Sequence, residues 1–179
     1  RRIDYVFVSH ADSDHINGII GLIENDADRI GTLMLPQSQS SKKQFEQLLT
    51  ASKKKQIPVK WISKGDVFSL KTLPDLSFEV LWPSKNEKSD DTNESSLVWR
   101  LNYHDFSMLF TGDLPGDCED ELVSLKPVTV LKVAHHGSDY STTKTFLQQI
   151  TPQLAVISCS ENNRYGHPGK QLLKRLEEA

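Results

Sequence analysis

Near the N-terminus, Ser9-His10-Ala11-Asp12-Ser13-Asp14-His15 sets two imidazoles and two carboxylates within six residues. Such groups are costly to crowd together unless a cation sits among them. The stretch therefore reads as a set of metal ligands rather than as a capped polar turn. The preceding run, Ile3-Asp4-Tyr5-Val6-Phe7-Val8, is expected to be a buried strand, and Ile16 to Ile23 to begin a helix. A tight turn between the two can aim His10 and Asp12 at one position, and Asp14 and His15 at a second one nearby. That is an arrangement for two ions, and its mixed nitrogen and oxygen donors suit zinc or manganese.

Three further polar clusters share the position of the first, each directly after an apolar run. Asp113 follows Phe106 to Phe110, His135-His136 follows Val128 to Ala134, and Asn162-Asn163-Arg164-Tyr165-Gly166-His167-Pro168 follows Leu154 to Ser158. Together the four hold five of the six histidines in the chain, which chance placement does not account for. Loops at strand ends are where a layered sheet gathers its site, so the four are expected to converge at one edge.

The remaining elements follow from patterning. Arg29 to Pro36 reads as a strand stopped by proline, and Ser40 to Lys54 as an amphipathic helix with Phe45, Leu48 and Leu49 on one face. Its lysines, Lys42, Lys43, Lys53, Lys54 and Lys55, read as a solvated face. Strands are expected at Pro58 to Ile62, Val67 to Leu70, Leu76 to Pro83 and Ser96 to Tyr103. The last pairs with Phe106 to Phe110 about a His104-Asp105 turn. Ser84 to Glu94 reads as a surface loop, Asp117 to Leu125 as a short helix, Ser141 or Thr142 as the cap of a helix through Ile150, and Gly169 to Glu178 as a closing helix. Strands outnumber helices, yet helices punctuate them regularly. This favours a layered α/β sandwich over an all-β barrel.

Composition bounds the function. The chain has 179 residues, 37% of them apolar, enough for a single domain over residues 1–179 with its own core. The sequence holds no run of about 18 apolar residues, so nothing in it is expected to span a membrane, and the first residues enter a charged strand rather than a signal peptide. The start at Arg1-Arg2-Ile3, without methionine, reads as a fragment of a longer protein. A net charge of -3 argues against a broad basic face for nucleic acid, although bound ions would supply positive charge locally. Cys118 and Cys159 lack metal-finger spacing and read as free thiols.

His10-Ala11-Asp12-Ser13-Asp14-His15 resembles the His-x-His-x-Asp-His motif of the metallo-β-lactamase superfamily, with Asp12 in place of the second histidine. That substitution occurs here together with Leu109-Phe110-Thr111-Gly112-Asp113, Leu131-Lys132-Val133-Ala134-His135-His136-Gly137-Ser138 and Asn163-Arg164-Tyr165-Gly166-His167-Pro168. In this combination the chain resembles the C-terminal domain of the ComEC competence DNA-uptake channel family. The resemblance implies an αββα four-layer sandwich from which N-terminal strands, with an Asp-Val-Gly-Gln-Gly-like segment, are missing. It implies two divalent ions, zinc or manganese: the first on His10 and Asp12, the second on Asp14 and His15, with Asp113 bridging. One imidazole of His135-His136 would complete the second position, and which one is open. The other imidazole, with His167, Arg164, Ser138 and Tyr165, would face substrate. Where many superfamily members carry a further histidine, this chain offers Asn93 or a neighbour, leaving one position short of nitrogen.

A bridged pair of ions roughly 3.5–4 Å apart suits hydrolysis, because it activates water and stabilises charge on both the attacking and leaving oxygens. Asp14 or Asp113 can orient that water, with His136 and His167 beside it. Donors around the site point to a phosphodiester. The resemblance implies DNA as substrate, with the non-transported strand degraded during uptake, outside the cytoplasm, by a domain tied to a membrane channel and OB-like domains of the same parent chain. A free-standing cytoplasmic hydrolase of a small phosphodiester, lactone or thioester, and a catalytically silent DNA-binding module, are the alternatives.

Overall fold

The second strand, β2 (Ile30–Pro36), shows why the chain folds in layers. It is buried along nearly its whole length, and successive side chains leave a strand on opposite faces. Leu33 and Leu35 pack with Ile16, Ile23, Phe45 and Leu48 of two helices, whereas Met34 packs with Ile62, Val80 and Leu97 on the other side. A strand apolar on both faces needs a cover on each.

The computed structural model describes residues 1–37, 42–85, 89, 91–122 and 125–179. Among these, the other strands are β1 (Ile3–Phe7), β3 (Val59–Ile62), β4 (Val67–Leu70), β5 (Leu73–Trp82), β6 (Val98–Tyr103), β7 (Phe106–Phe110), β8 (Val130–Lys132) and β9 (Leu154–Val156). The helices are α1 (Ser13–Asp26), α2 (Lys43–Lys54), α3 (Gly116–Glu119), α4 (Lys144–Ile150) and α5 (Lys170–Glu177). One sheet is three-stranded in the order β1-β2-β3, and the other six-stranded in the order β4-β5-β6-β7-β8-β9. The small sheet is parallel throughout. The large one is antiparallel from β4 to β7 and parallel from β7 to β9.

Three apolar clusters define the layers. The first lies between the small sheet and α1 with α2. The second lies between the sheets, where Phe7 stacks on Trp99 at 4.3 Å and Trp99 on Phe110 at 4.0 Å. The third joins Leu109 and Leu131 of the large sheet to Phe146, Leu147, Ile150 and Leu172 of α4 and α5. Full burial of each such side chain contributes about 1.5–3 kcal/mol. The result is the α/β sandwich with helices outside and two sheets inside.

Several boundaries differ from the sequence expectation. The strand expected over Val128 to Ala134 shortens to β8, because parallel pairing with β7 and β9 extends only over Val130–Lys132. The helix expected over Asp117 to Leu125 is the short α3, with Val123 and Ser124 outside the described residues. Helix α2 starts at Lys43, and the expected Ser40 start also lies outside them. Residues 86–88 and 90 of the loop expected over Ser84 to Glu94 do so too. Thr143, rather than Ser141 or Thr142, caps α4, its hydroxyl accepting from the Phe146 backbone N–H at 3.2 Å.

Ser141 and Thr142 belong instead to a tightly held loop. Glu119, buried on α3, accepts the backbone N–H groups of Thr142 and Thr143, the latter at 2.7 Å. From α5, Arg175 donates to the carbonyls of Asp139, Ser141 and Thr142 at 2.9, 3.0 and 3.2 Å. Asp139 in turn accepts the Leu172 backbone N–H at 2.8 Å. Burial pushes the Glu119 carboxyl up to about 7 from 4.5, against the pull of the two backbone donors. Between those values the folded chain binds more protons than the unfolded one. The contribution to stability is therefore complete below pH 4.5 and is lost as pH rises through about 7. Glu119→Ala is expected to leave the buried Thr142 N–H and the half-buried Thr143 N–H unpaired and to cost about 1–3 kcal/mol. It should also flatten this part of the pH profile, as read by denaturant unfolding on either side of neutrality.

Candidate metal centre

Each ligand-bearing segment leaves the end of a strand. After β1, the Val8 backbone N–H still donates to Met34 at 3.0 Å, and the chain then turns through Ser9 to Asp12 into α1. Leu97 donates its N–H to the Ser9 carbonyl at 2.7 Å, tying this turn to the large sheet. The Ser9 hydroxyl lies 3.1 Å from His10 Nδ1 and 2.9 Å from His15 Nδ1. One side chain thus holds two imidazoles and leaves both Nε2 atoms facing inward.

Asp113 follows β7 through Gly112, which has a positive φ of +55°. A Cβ there would come within 2.9 Å of the Ser96 Cβ, so only glycine fits this turn. The Asp113 backbone N–H donates to Ser96 Oγ at 3.0 Å, and Lys132 donates to the Gly112 carbonyl at 3.0 Å. Beyond β8, His135 and His136 both take positive φ, 48° and 54°, in a 3-10 turn. The His136 Nδ1 then sits 2.8 Å from the Ser158 carbonyl, and an N–H donated there turns Nε2 toward Asp113.

Four donors meet. His15 Nε2 lies 3.2 Å from His136 Nε2, 3.3 Å from Asp113 Oδ2 and 3.8 Å from Asp14 Oδ2. His136 Nε2 lies 3.3 Å from both Asp113 Oδ2 and Asp14 Oδ2. Ligands held tetrahedrally at ~2.0–2.1 Å from zinc stand about 3.3–3.4 Å apart, and the donors fall into two candidate groups that share His15, Asp14 with His15 and His136, and His10 with His15 and Asp113. His10 Nε2 lies 3.7 Å from Asp12 Oδ2 and 3.9 Å from Asp113 Oδ2. Among the described residues, His10 Nε2 and Asp113 Oδ1 are buried without a hydrogen-bond partner. Buried polar atoms left unpaired are costly, and a cation among them removes the cost.

The expected residues separate into two groups. His10, Asp14, His15, Asp113 and His136 come together, with Asp12 at their edge, and of the histidine pair it is His136 that joins them. His135 does not. The left-handed turn, replacing a continued strand, sends its ring against His167 at 5.8 Å, and among the described residues neither belongs to a ligand group. Ser138, expected to face substrate, is buried, and its hydroxyl accepts the Tyr140 N–H at 3.2 Å. Arg164 is exposed, and Tyr165 is 81% exposed with its ring stacked on His167. The loop carrying them is tied by Asn163, which donates to the His167 carbonyl and accepts its N–H.

Other residues at the site went unassigned in sequence. Ser9 stands in plain view inside the motif, and Lys132 is a lone charge in an apolar run. Thr92 and Lys42 gave no signal. Lys42, read as part of a solvated face, reaches Asp12 and Thr92 instead. Near Asn93, the position noted for its missing histidine, the contact to the motif is made by Thr92, whose hydroxyl donates to Asp12 Oδ1 at 2.8 Å.

Charge is balanced around Asp113. Burial alone would raise its carboxyl, but hydrogen bonds from His136 and His15 hold it well below the ordinary range. The same bond from Asp113 pushes His136 up to about 9, overcoming burial, whereas burial and the nearby His15 lower His10 to about 4. Burial would also raise Asp12, yet Lys42 and Thr92 bring it below its usual value. In the metal-free chain, Asp113→Asn is expected to return the His136 pKa from about 9 toward 6.5, as followed by NMR of the imidazole protons. An unmoved value would separate the two groups.

A family model described as "Beta-lactamase superfamily domain" matches residues 1–140. ComE operon protein 3 of Bacillus subtilis (strain 168) is 33% identical over 180 residues, covering 99% of this chain and 22% of that protein. Competence protein ComA of Neisseria gonorrhoeae is 30% identical over 182 residues, covering 98% and 23% respectively. This chain therefore spans about a fifth of the length of these relatives. Among solved structures, a variant of CmlA beta-hydroxylase superposes with a TM-score of 0.64 at 10% identity, over 99% of this chain and 40% of that one. The metallo-beta-lactamase fold protein YhfI from Bacillus subtilis superposes at 0.50 with 11% identity, over 98% and 71%. With the four-layer sandwich and a fitting donor set at its strand ends, the chain belongs to the beta-lactamase superfamily, as a metallo-β-lactamase-fold domain resembling the C-terminal domain of the ComEC competence proteins.

Proposed function

We propose that this domain is a divalent-metal-dependent phosphodiesterase acting on DNA, and that it degrades the non-transported strand during competence DNA uptake. The observation that carries the reading is the meeting of two donor groups, Asp14 with His15 and His136, and His10 with His15 and Asp113, each with its ligand atoms within 4.8 Å of one another. The similarity to a protein named for competence supports DNA as the substrate class. A divalent ion held there would activate water and offset negative charge on the reacting phosphate. His10, Asp12 and Asp113 supply the donors for a second ion. The carboxylates of Asp14 and Asp113, one in each donor group, make manganese as suitable as zinc.

The chain's own residues divide the work. Asp113 is buried and fixed, so it serves as anchor. Asp14 is 63% exposed on its side chain, with Oδ2 3.3 Å from His136 Nε2, so it borders both the donor set and solvent. There it can accept a proton from the attacking water. His167, beside His135, and the exposed Arg164 and Tyr165 form the rim that a nucleic acid would meet. Arg164 provides charge-assisted donors for phosphate and Tyr165 a face for a base. Among the described residues no helix is long and apolar enough to cross a membrane. The domain would work outside the cytoplasm, where incoming DNA arrives, joined to the channel and OB-like parts of a longer chain.

Digestion of single-stranded and duplex DNA with added manganese tests the reading. Cleavage is expected, with abolition by a chelator and a fall of at least about a hundredfold in Asp14→Ala. Turnover of bis-p-nitrophenyl phosphate without DNA cleavage would instead indicate a small-molecule phosphodiesterase. DNA binding without cleavage or metal uptake would indicate a silent binding module.

A further inference from the structure

The connection between β5 and β6 touches both aspartates that flank His10. Thr92 donates its hydroxyl to Asp12 Oδ1 at 2.8 Å, and Ser96 Oγ accepts the Asp113 backbone N–H at 3.0 Å. Asn93 lies between these two contacts in the chain, and its backbone is pinned. Its N–H donates to Asp91 Oδ1 at 2.8 Å, and its carbonyl accepts the Ser96 N–H at 3.0 Å. On the far side, the Leu97 N–H reaches the Ser9 carbonyl, which fixes the segment against the histidine-bearing turn.

The Asn93 side chain is not explained by these bonds. Among the described residues, three buried side-chain polar atoms have no hydrogen-bond partner: His10 Nε2, Asp113 Oδ1 and Asn93 Oδ1. The first two belong to the donor cluster, and the third to the turn that contacts this cluster from both sides. A buried carbonyl oxygen without a donor is costly, and a cation removes that cost as it does for the imidazole.

The His10 side is also one donor short. Asp12 Oδ1 is engaged by Lys42 and Thr92, so Oδ2, 3.7 Å from His10 Nε2, is the oxygen left for an ion. Asp113 Oδ2 lies 3.9 Å from the same nitrogen. The His15 Nε2 stands closer to His136 Nε2, at 3.2 Å, and serves the other group. One imidazole and two carboxylate oxygens are one fewer than a tetrahedral set.

Resting on the metal-dependent reading above, we propose that Asn93 Oδ1 is a ligand of the His10-side ion, in a set with His10 Nε2, Asp12 Oδ2 and Asp113 Oδ2. A neutral amide adds a donor without adding a third negative charge. One nitrogen and three oxygens make this position suit manganese, whereas the other group brings two imidazoles, His15 and His136. Thr92 and Asn93, adjacent in the chain, then serve one ion in two ways: Thr92 orients Asp12, and Asn93 binds directly.

Calorimetric titration of the chelator-stripped chain with manganese alone tests this without reference to activity. Wild type is expected to take up two equivalents, and Asn93→Asp, which keeps the oxygen, likewise. Asn93→Leu is expected to hold one equivalent as before and to weaken the other about tenfold or more. In a His10→Ala background, where this position is already lost, Asn93→Leu should change the affinity of the remaining equivalent no further. Metal-free melting of Asn93→Leu should not fall, since leucine replaces an oxygen with no partner to lose. Two equivalents at wild-type affinity in Asn93→Leu, a loss that adds to that of His10→Ala, or a lowered metal-free melting temperature overturns the proposal and leaves metal dependence intact. A wild-type chain that binds no manganese overturns the metal-dependent reading itself.

Discussion

Asp113 is a carboxylate that is 4% exposed at the junction of two sheets. A buried anion costs several kcal/mol unless positive charge and hydrogen bonds meet it, and the surroundings of Asp113 are arranged around that requirement. Oδ2 faces the Nε2 atoms of His10, His15 and His136, and Oδ1 lies 4.0 Å from the Lys132 ammonium. The glycine before it, the Ser96 hydroxyl that receives its N–H and the lysine that grips the preceding carbonyl all fix the backbone that presents it. Three imidazoles around one carboxylate are themselves poorly satisfied, since His10 Nε2 is left without a partner among the described residues. A divalent cation resolves both problems at once.

The sandwich delivers these groups because the strands bearing them finish at one edge. His10, Asp14 and His15 follow β1 of the small sheet, Asp113 follows β7, and His136 follows β8 of the large one. Short turns immediately after paired strands leave little freedom in where a side chain points. The Ser9 hydroxyl and the Ser158 carbonyl remove what remains, by holding the Nδ1 side of each ring. Further out, the loop after His136 is clamped by Glu119 and Arg175, so the ligand turn rests on helices of the outer layer rather than on solvent.

Much of this was legible in the residues. The apolar runs before each cluster and the placing of histidine- and aspartate-bearing segments after strands were enough to foresee the layers and the meeting of the first three clusters. What was not legible depended on long-range placement. Which of His135 and His136 joins the centre is decided by two successive left-handed residues, a local twist that alternation along a strand does not encode. Ser138 reads as an exposed donor beside a histidine pair, but its burial arises from the return of residues 166 to 169 over the turn, where Gly169 donates to the Gly137 carbonyl at 2.8 Å. Lys42 lies in a run of polar residues with no periodic mark, and its contact with Asp12 comes from how α2 docks beside α1. A short-range pattern has no access to that docking.

The two sheets share only a modest apolar layer, built on Met34, Ile62, Val80 and Leu97. Asp14 and His15 stand on one side of that seam, and Asp113 and His136 on the other. An ion bound by either donor group, Asp14 and His15 with His136 or His10 and His15 with Asp113, would be a cross-link between the halves of the sandwich, and part of its binding free energy would become cohesion of the folded chain. The same bonds that would perform chemistry would then act as a clasp, making the integrity of the domain depend on the supply of metal in its surroundings.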